Sequence, residues 1–272
     1  MRVVSARRGI PGWLAGIIGV LVILGLWWIF SATAFRPAEG TNFTPVPSPV
    51  DVFAWLFIDG NIMGAWGVFQ PTITEAALGF AWGNGIALLL SALVLLLPWL
   101  ETVIMQLAVV TYCLPIVAVG GIAIVLLGGA KRPGDPSMTA IFLAALCVFF
   151  TTVVGALLGF RSADKAALDV VSVYGGSGWT QLTKVRLIAA LPAILNALQI
   201  AVPTAFLGAV LGEYMGAIDR SVGSTLIRLQ GQLDSSGVWA IFLLSAVVAL
   251  IGYGLFGLIA RLVAPWVAGR AR

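Results

Sequence analysis

The sequence predicts an all-α integral membrane protein with six transmembrane helices, and three observations carry that prediction. Sixty per cent of the 272 residues are apolar, only 10% are charged, and the mean hydropathy is +1.06. A soluble globular domain carries about 45–50% apolar and about 25% charged residues, and a fold of this size has too little interior to hide the excess. Several apolar runs exceed the ~20 residues that cross a bilayer core as a helix. Transmembrane β-strands, by contrast, are ~10 residues long and alternate in polarity.

The absences narrow the chemistry. The chain has no His, the commonest general base and metal ligand. Cys113 and Cys147 both lie inside apolar runs, where a cysteine reads as a small core residue rather than as half of a disulfide or a thiolate ligand. No metal site is expected. No Gly-Lys pair occurs, so the phosphate-cradling loop that requires one is missing. Any nucleotide energy must then be supplied by another subunit. The formal charge is +4, but the basic residues are dispersed among loops rather than gathered on one face, which argues against nucleic acid.

The first span is expected at about 13–35, after Arg2, Arg7 and Arg8. Ala32 and Ala34 near its end resemble a signal-peptidase site. The apolar run nevertheless exceeds the ~7–15 residues of a secretory signal, so it reads as a helix that stays. A polar stretch bearing Pro45, Pro47 and Pro49 follows. Later spans are expected at about 71–96, 103–128, 138–160, 187–212 and 238–264. No large soluble domain interrupts 1–272, which reads as one membrane domain. Gly12/Gly16, Gly79/Gly83 and Gly155/Gly159 have the spacing of helix-packing contacts.

Six spans put both termini on one side, and Lys and Arg choose which. With the amino terminus inside, the inner segments hold Arg2, Arg7, Arg8, Arg161, Lys165, Lys184, Arg186, Arg261, Arg270 and Arg272, ten in all. The outer segments hold Arg36, Lys131, Arg132, Arg220 and Arg228, five in all. Both termini are therefore expected in the cytoplasm. Trp13, Trp27, Trp28, Trp66, Trp99 and Trp266 fall near span ends, as interface anchors do.

The longest inner loop, about 161–186, is the most informative segment. Asp164 can cap a short helix reaching Val173, because its carboxylate can accept from the free amides of a helix start. Gly175, Gly176 and Gly178 then stop it, since glycine tolerates the positive φ of a helix terminus. A second helix is expected from near Trp179 into the fifth span. The result is a helix–turn–helix at the membrane surface, with Val171, Val173 and Tyr174 at an exposed tip. Apolar groups at a turn invite a partner protein, although the segment can also be read as a plain connector.

This loop resembles the EAA loop of permease subunits in binding-protein-dependent ABC importers. The family pattern is Glu-Ala-Ala, three residues, Gly, nine residues, Ile, one residue, Leu-Pro. With its Gly on Gly175, the acidic position falls on Asp169, the alanines on Val170 and Val171, and the Ile and Leu on Val185 and Leu187. Ile188 stands where the first proline is expected, and Pro192 matches a second. Other segments are similar to the nitrate/sulfonate/taurine branch. They are Pro45 to Pro49, Thr72-Ile73 with Gly79-Phe80, Leu114-Pro115 with Ala118, and Glu213 with Val222-Gly223, where Ser221 replaces a glycine.

The resemblance implies a type I ABC importer permease fold with a cytoplasmic coupling helix between the fourth and fifth spans. Asp169, Val170, Val171, Val173, Tyr174, Gly175 and Gly176 would fit a cleft on a cytoplasmic ATPase. Asp169 is expected to hold the shape of the loop by accepting backbone hydrogen bonds. The implied partners are a second permease copy or a paralogue, two ATPase subunits and an extracytoplasmic substrate-binding protein, all at the lipid bilayer. ATP and Mg²⁺ would belong to the ATPases, and this chain would carry no cofactor and perform no catalysis. The implied cargo is a small solute, such as a sulfonate, nitrate or an aromatic acid.

The fifth span offers an independent physical reading. At 100° per residue, Asn196, Gln199, Pro203, Phe206, Val210 and Glu213 share about a third of the helix circumference, while Gly208, Gly212 and Gly216 share another side. A polar stripe beside a small-residue stripe suits a helix facing a cavity on one side and a neighbour on the other. Asn196, Gln199 and Glu213 are therefore path candidates, with Tyr112 and Pro115 from the third span. The bland alternative is that Asn196 and Gln199 bond across helices and that Glu213 is solvated at the outer surface. Glu75 reads as an interface carboxylate without a transport role.

Two rival functions remain at this level. An ion-gradient-driven secondary transporter usually shows paired charged midspan sites in repeated halves, and neither is visible. An intramembrane enzyme needs convergent catalytic groups, and only scattered carboxylates and hydroxyls are present.

Overall fold

The structure, a computed structural model, describes residues 11–35, 44–216 and 220–268. All of its regular elements are helices. The chain divides into two units, Met1–Met63 with Leu229–Phe242, and Gly64–Arg228 with Leu243–Arg272.

In the smaller unit, α1 (Gly12–Thr33) precedes the proline-bearing segment and α2 (Pro49–Phe53), which continues as a π-helical turn over Ala54–Ile58. Ser48 and Asp51 close a reciprocal capping box at the start of α2, satisfying two amides that a helix start leaves free. Prolines donate no amide hydrogen, so the segment offers carbonyls. Trp27 donates to Pro47 O at 3.0 Å, Ser31 to Val46 O at 2.8 Å and Trp239 to Pro45 O at 3.3 Å. Trp27 also stacks on Trp239. Trp27 thus holds this segment as well as lying near a span end.

The larger unit is built around one helix. Its elements begin with α3 (Ile62–Leu96), then α4 (Leu100–Cys113), α5 (Ile116–Leu127), α6 (Met138–Arg161), α7 (Lys165–Val173) and α8 (Gly178–Gln181). A π-helical turn, Leu182–Arg186, leads into α9 (Leu187–Gly216), followed by α10 (Val222–Gly231), α11 (Ser235–Val263) and α12 (Pro265–Ala268). α6 lies between α3 and α9, and small residues let it approach both. A Cβ on Gly208 would fall 2.7 Å from Ala144 Cα, and one on Gly212 would fall 2.5 Å from Ala140 Cα. Gly155 faces Ala197 and Gly159 faces Ala190, so α6 and α9 run antiparallel in close contact. On its other side α6 receives α3, where a Cβ on Gly83 would fall 2.7 Å from Ala145 Cα. Thr152 donates to Asn84 Oδ1 across this second contact, both side chains being buried. Ala87, Val94, Ile104, Phe149, Val153 and Leu157 fill the space between α3, α4 and α6. The expected Gly79/Gly83 and Gly155/Gly159 contacts are therefore present, whereas Gly12 and Gly16 meet nothing within 4 Å among the described residues.

Among the described residues five helices are long and apolar enough to cross a membrane, or six spans if α4 and α5 count as one. The expected third span is not one straight helix. α4 and α5 meet at 93°, because Pro115 removes an amide and holds the preceding Leu114 in an extended conformation (ψ 130°). The second span also differs from expectation. α3 begins at Ile62 and passes through Pro71 without ending. The remaining spans lie within about three residues of the expected bounds at most ends, and α9 runs on to Gly216.

Candidate functional site

At one end of the larger unit Arg161 closes α6 and pairs with Glu101 of α4. With Arg186 they line a cleft of about 210 Å³. The Arg161 side chain is largely exposed, so the ion pair itself adds little stability.

The chain from α6 to α9 passes through α7 at this end. Asp164 caps α7, its carboxylate accepting from Ala166 N at 3.1 Å. At the other terminus Gly175 adopts φ +76°. Gly176 N donates to Val171 O at 2.8 Å and Gly175 N to Ser172 O at 3.0 Å. This is the two-bond Schellman termination, and its left-handed residue is favoured as glycine. Ser177 then caps α8 by accepting from Thr180 N. The turn presents Val170, Val173 and Tyr174 to the outside, the last two being 83% and 87% exposed. Asp169 is exposed and accepts no hydrogen bond among the described residues. Gln181, which the sequence reading did not single out, takes the role expected of Asp169. Its Nε2 donates to Ser172 Oγ at 2.7 Å and reaches Leu168 O at 3.4 Å, tying α8 to α7.

Two of the path candidates come together. Asn196 and Gln199 of α9 line a cavity of about 720 Å³ against α11, with Pro192, Gly254, Gly257 and Arg261. Gln199 also donates to Tyr253 O at 3.3 Å, so the cross-helix bond and the cavity position coexist. The bare backbone of Gly257 admits its side chain. Asn196 is exposed to the cavity and has no hydrogen-bond partner among the described residues. Among the described residues Arg261 is the only ionised side chain lining that wall.

Tyr112 and Pro115 lie at the α4–α5 break instead. Tyr112 stacks on Phe150 with centroids 4.6 Å apart and remains 70% exposed.

Glu213 lies elsewhere again. Both Glu213 and Glu75 are completely buried, so neither is the solvated or interfacial carboxylate the sequence suggested. Glu213 Oε2 accepts from Gly223 N at 2.9 Å, and Thr72 Oγ1 accepts from Val222 N at 3.3 Å. Ser224 N donates to Ser221 Oγ at 3.2 Å. The first-turn amides of α10 are thereby capped. Glu75 Oε1 accepts from Ser137 N, immediately before α6, at 2.6 Å. No cluster of three or more His, Cys, Asp or Glu side chains suited to a metal occurs among the described residues.

Residues 83–267 match the family described as the binding-protein-dependent transport system inner membrane component. The chain belongs to this family, the membrane permeases of ABC importers, and is a transport subunit rather than an enzyme. It is 27% identical over 258 residues to a putative aliphatic sulfonates transport permease protein of Bacillus subtilis, covering 94% of this chain and 88% of that one. It is 24% identical over 246 residues to the formylaminopyrimidine transport permease protein of Halalkalibacterium halodurans, covering 90% and 93%. Its fold is similar to a chain in the crystal structure of a bacterial ABC transporter involved in the import of the acidic polysaccharide alginate. The TM-score is 0.54 and the identity 19%, over 92% of this chain and 93% of the other.

Proposed function

We propose that this chain forms the translocation path of an ATP-driven importer as one six-span permease domain, with α4 and α5 together making the third span. Both termini and α7 face the cytoplasm. α7 and the turn after it, from Asp169 to Gly176, act as the coupling element seated on an ATPase subunit. Two such permeases, or this chain and a paralogue, enclose the path, two ATPases supply ATP and Mg²⁺ chemistry, and an external binding protein delivers the solute.

The observation that carries this reading is the Schellman-terminated α7. It presents Val173 and Tyr174 to solvent at one end of a helix bundle from this family. A joint of apolar groups and bare backbone can seat closely without desolvating ion pairs. The proposed cargo is a small anion such as a sulfonate, nitrate or an aromatic acid. The cationic Arg261 and the unpartnered amide of Asn196 in one cavity support it, as does the sulfonate permease among the relatives.

The test is Gly175→Val in the assembled transporter. A β-branched residue at φ +76° is strained, and the turn should lose its shape while the spans insert normally. Import should vanish, and ATP hydrolysis should no longer respond to the loaded binding protein. Undiminished, coupled import would overturn the assignment.

A further inference from the structure

Glu75 of α3 and Glu213 of α9 are both completely buried, and their carboxyl groups lie within hydrogen-bond reach of one another. Each has one oxygen committed to a backbone amide, from Ser137 and Gly223 respectively. The hydroxyls of Thr72 and Ser221 lie beside Glu213 and donate to Val68 O and Ser224 Oγ. The other two oxygens, Glu75 Oε2 and Glu213 Oε1, are buried without any donor in the structure.

Among the described residues no basic side chain acts on either carboxyl. The ionisable groups nearest in sequence on the surrounding elements are Asp135 before α6, Tyr214 on α9, Arg220 before α10 and Arg228 on α10. Asp219 lies outside the described residues. Two charged carboxylates in mutual contact, away from water, would repel and leave two acceptors facing each other. A single proton resolves both problems. It converts one orphan oxygen into a donor for the other, and the one remaining charge is met by the amides of Ser137 and Gly223.

We propose that Glu75 and Glu213 form a one-proton binding site, a carboxylic acid–carboxylate pair. It ties α3 and α9 to the starts of α6 and α10 at the end of the bundle opposite α7. A bound cation such as Na⁺ between the same oxygens is the competing occupant. The donors favour the proton, because the two amide N–H groups directed at the pair stabilise an anion rather than coordinate a cation.

The test uses the full-length protein in lipid nanodiscs at neutral pH. Infrared spectroscopy should show a protonated carboxyl C=O stretch that shifts in D₂O and is absent from both Glu75→Gln and Glu213→Gln. A glutamine amide donates where the shared proton did, so each Gln variant should keep its unfolding half-life within about twofold of wild type. Glu75→Ala, which leaves a lone buried carboxylate, should shorten it by about tenfold or more. A wild-type spectrum without that band overturns the proposal even if every variant folds poorly. So does a Gln variant as damaged as the Ala variant. Stabilisation of wild type when Na⁺ replaces choline at constant ionic strength, lost in Glu75→Gln, would assign the site to the cation instead. The import reading is independent of every one of these outcomes.

Discussion

Ala144 lies where glycines of two different helices converge, Gly79 from α3 and Gly208 from α9. It is completely buried; Gly79 gives up its side chain to the Ala144 methyl, and Gly208 gives up its own so that the α9 backbone can approach that of α6 at the same residue. Ala144→Leu has nowhere to place its extra atoms except against those backbones. Overpacking of this kind costs about 1–3 kcal/mol, and a thermal melt of the purified protein should show a clear loss for Ala144→Leu. Ala145→Ser, which adds one small polar atom, should be far milder. At the cavity, Asn196 is a different kind of residue, because it is unpartnered and nothing structural depends on it. Asn196→Leu should leave insertion and stability unchanged and raise the KM for uptake more than it lowers the maximal rate. A variant that melts early without a change in KM would show that Asn196 is a packing residue.

Among the elements, α7 and its turn were legible in the sequence and the α4–α5 break was not, for related physical reasons. A Schellman end is local. Gly175 and Gly176 bond to residues three to five positions back, and their identity alone signals the positive φ. Gln181 was missed because it works across the turn, where nothing in a glutamine marks its partner. Pro115 did carry a local signal. The apolar run on both sides of it reads as one continuous span, and hydropathy outweighed the missing amide. Glu75 and Glu213 could not have been paired from sequence. Their meeting depends on the small-residue contacts that bring α3 and α9 together against α6. Pro115→Ala tests the break as an element. It restores an amide and relieves the restriction on Leu114, which allows α4 to propagate into α5. Import should fall sharply with insertion intact, and a cysteine replacing Tyr112 should lose reactivity toward a water-soluble thiol reagent. Unchanged transport would mean that the bend is incidental.

For the molecule as a whole, the decisive quantity is its direction in the bilayer. Counted along the sequence, the segments on the side of α7 carry ten Lys and Arg residues, among them Arg161, Lys165, Lys184 and Arg186, against five on the other side, Arg36, Lys131, Arg132, Arg220 and Arg228. Retention of cationic loops on the cytoplasmic side sets orientation, so the helix bundle should insert with α7 inward and with α10 and the Glu75–Glu213 pair outward. Everything assigned to α7 depends on this, because an ATPase lies on one side only. Cys113 and Cys147 can be replaced by Ala, since neither is in a disulfide, and single cysteines introduced at Lys184 and Lys131. In sealed right-side-out vesicles an impermeant thiol reagent should label the Lys131→Cys variant alone. Permeabilising the vesicles should then expose the Lys184→Cys variant. The reversed pattern would place Val173 and Tyr174 outside the cell, where no ATP-driven partner could reach them, and would leave the turn as a connector between two spans.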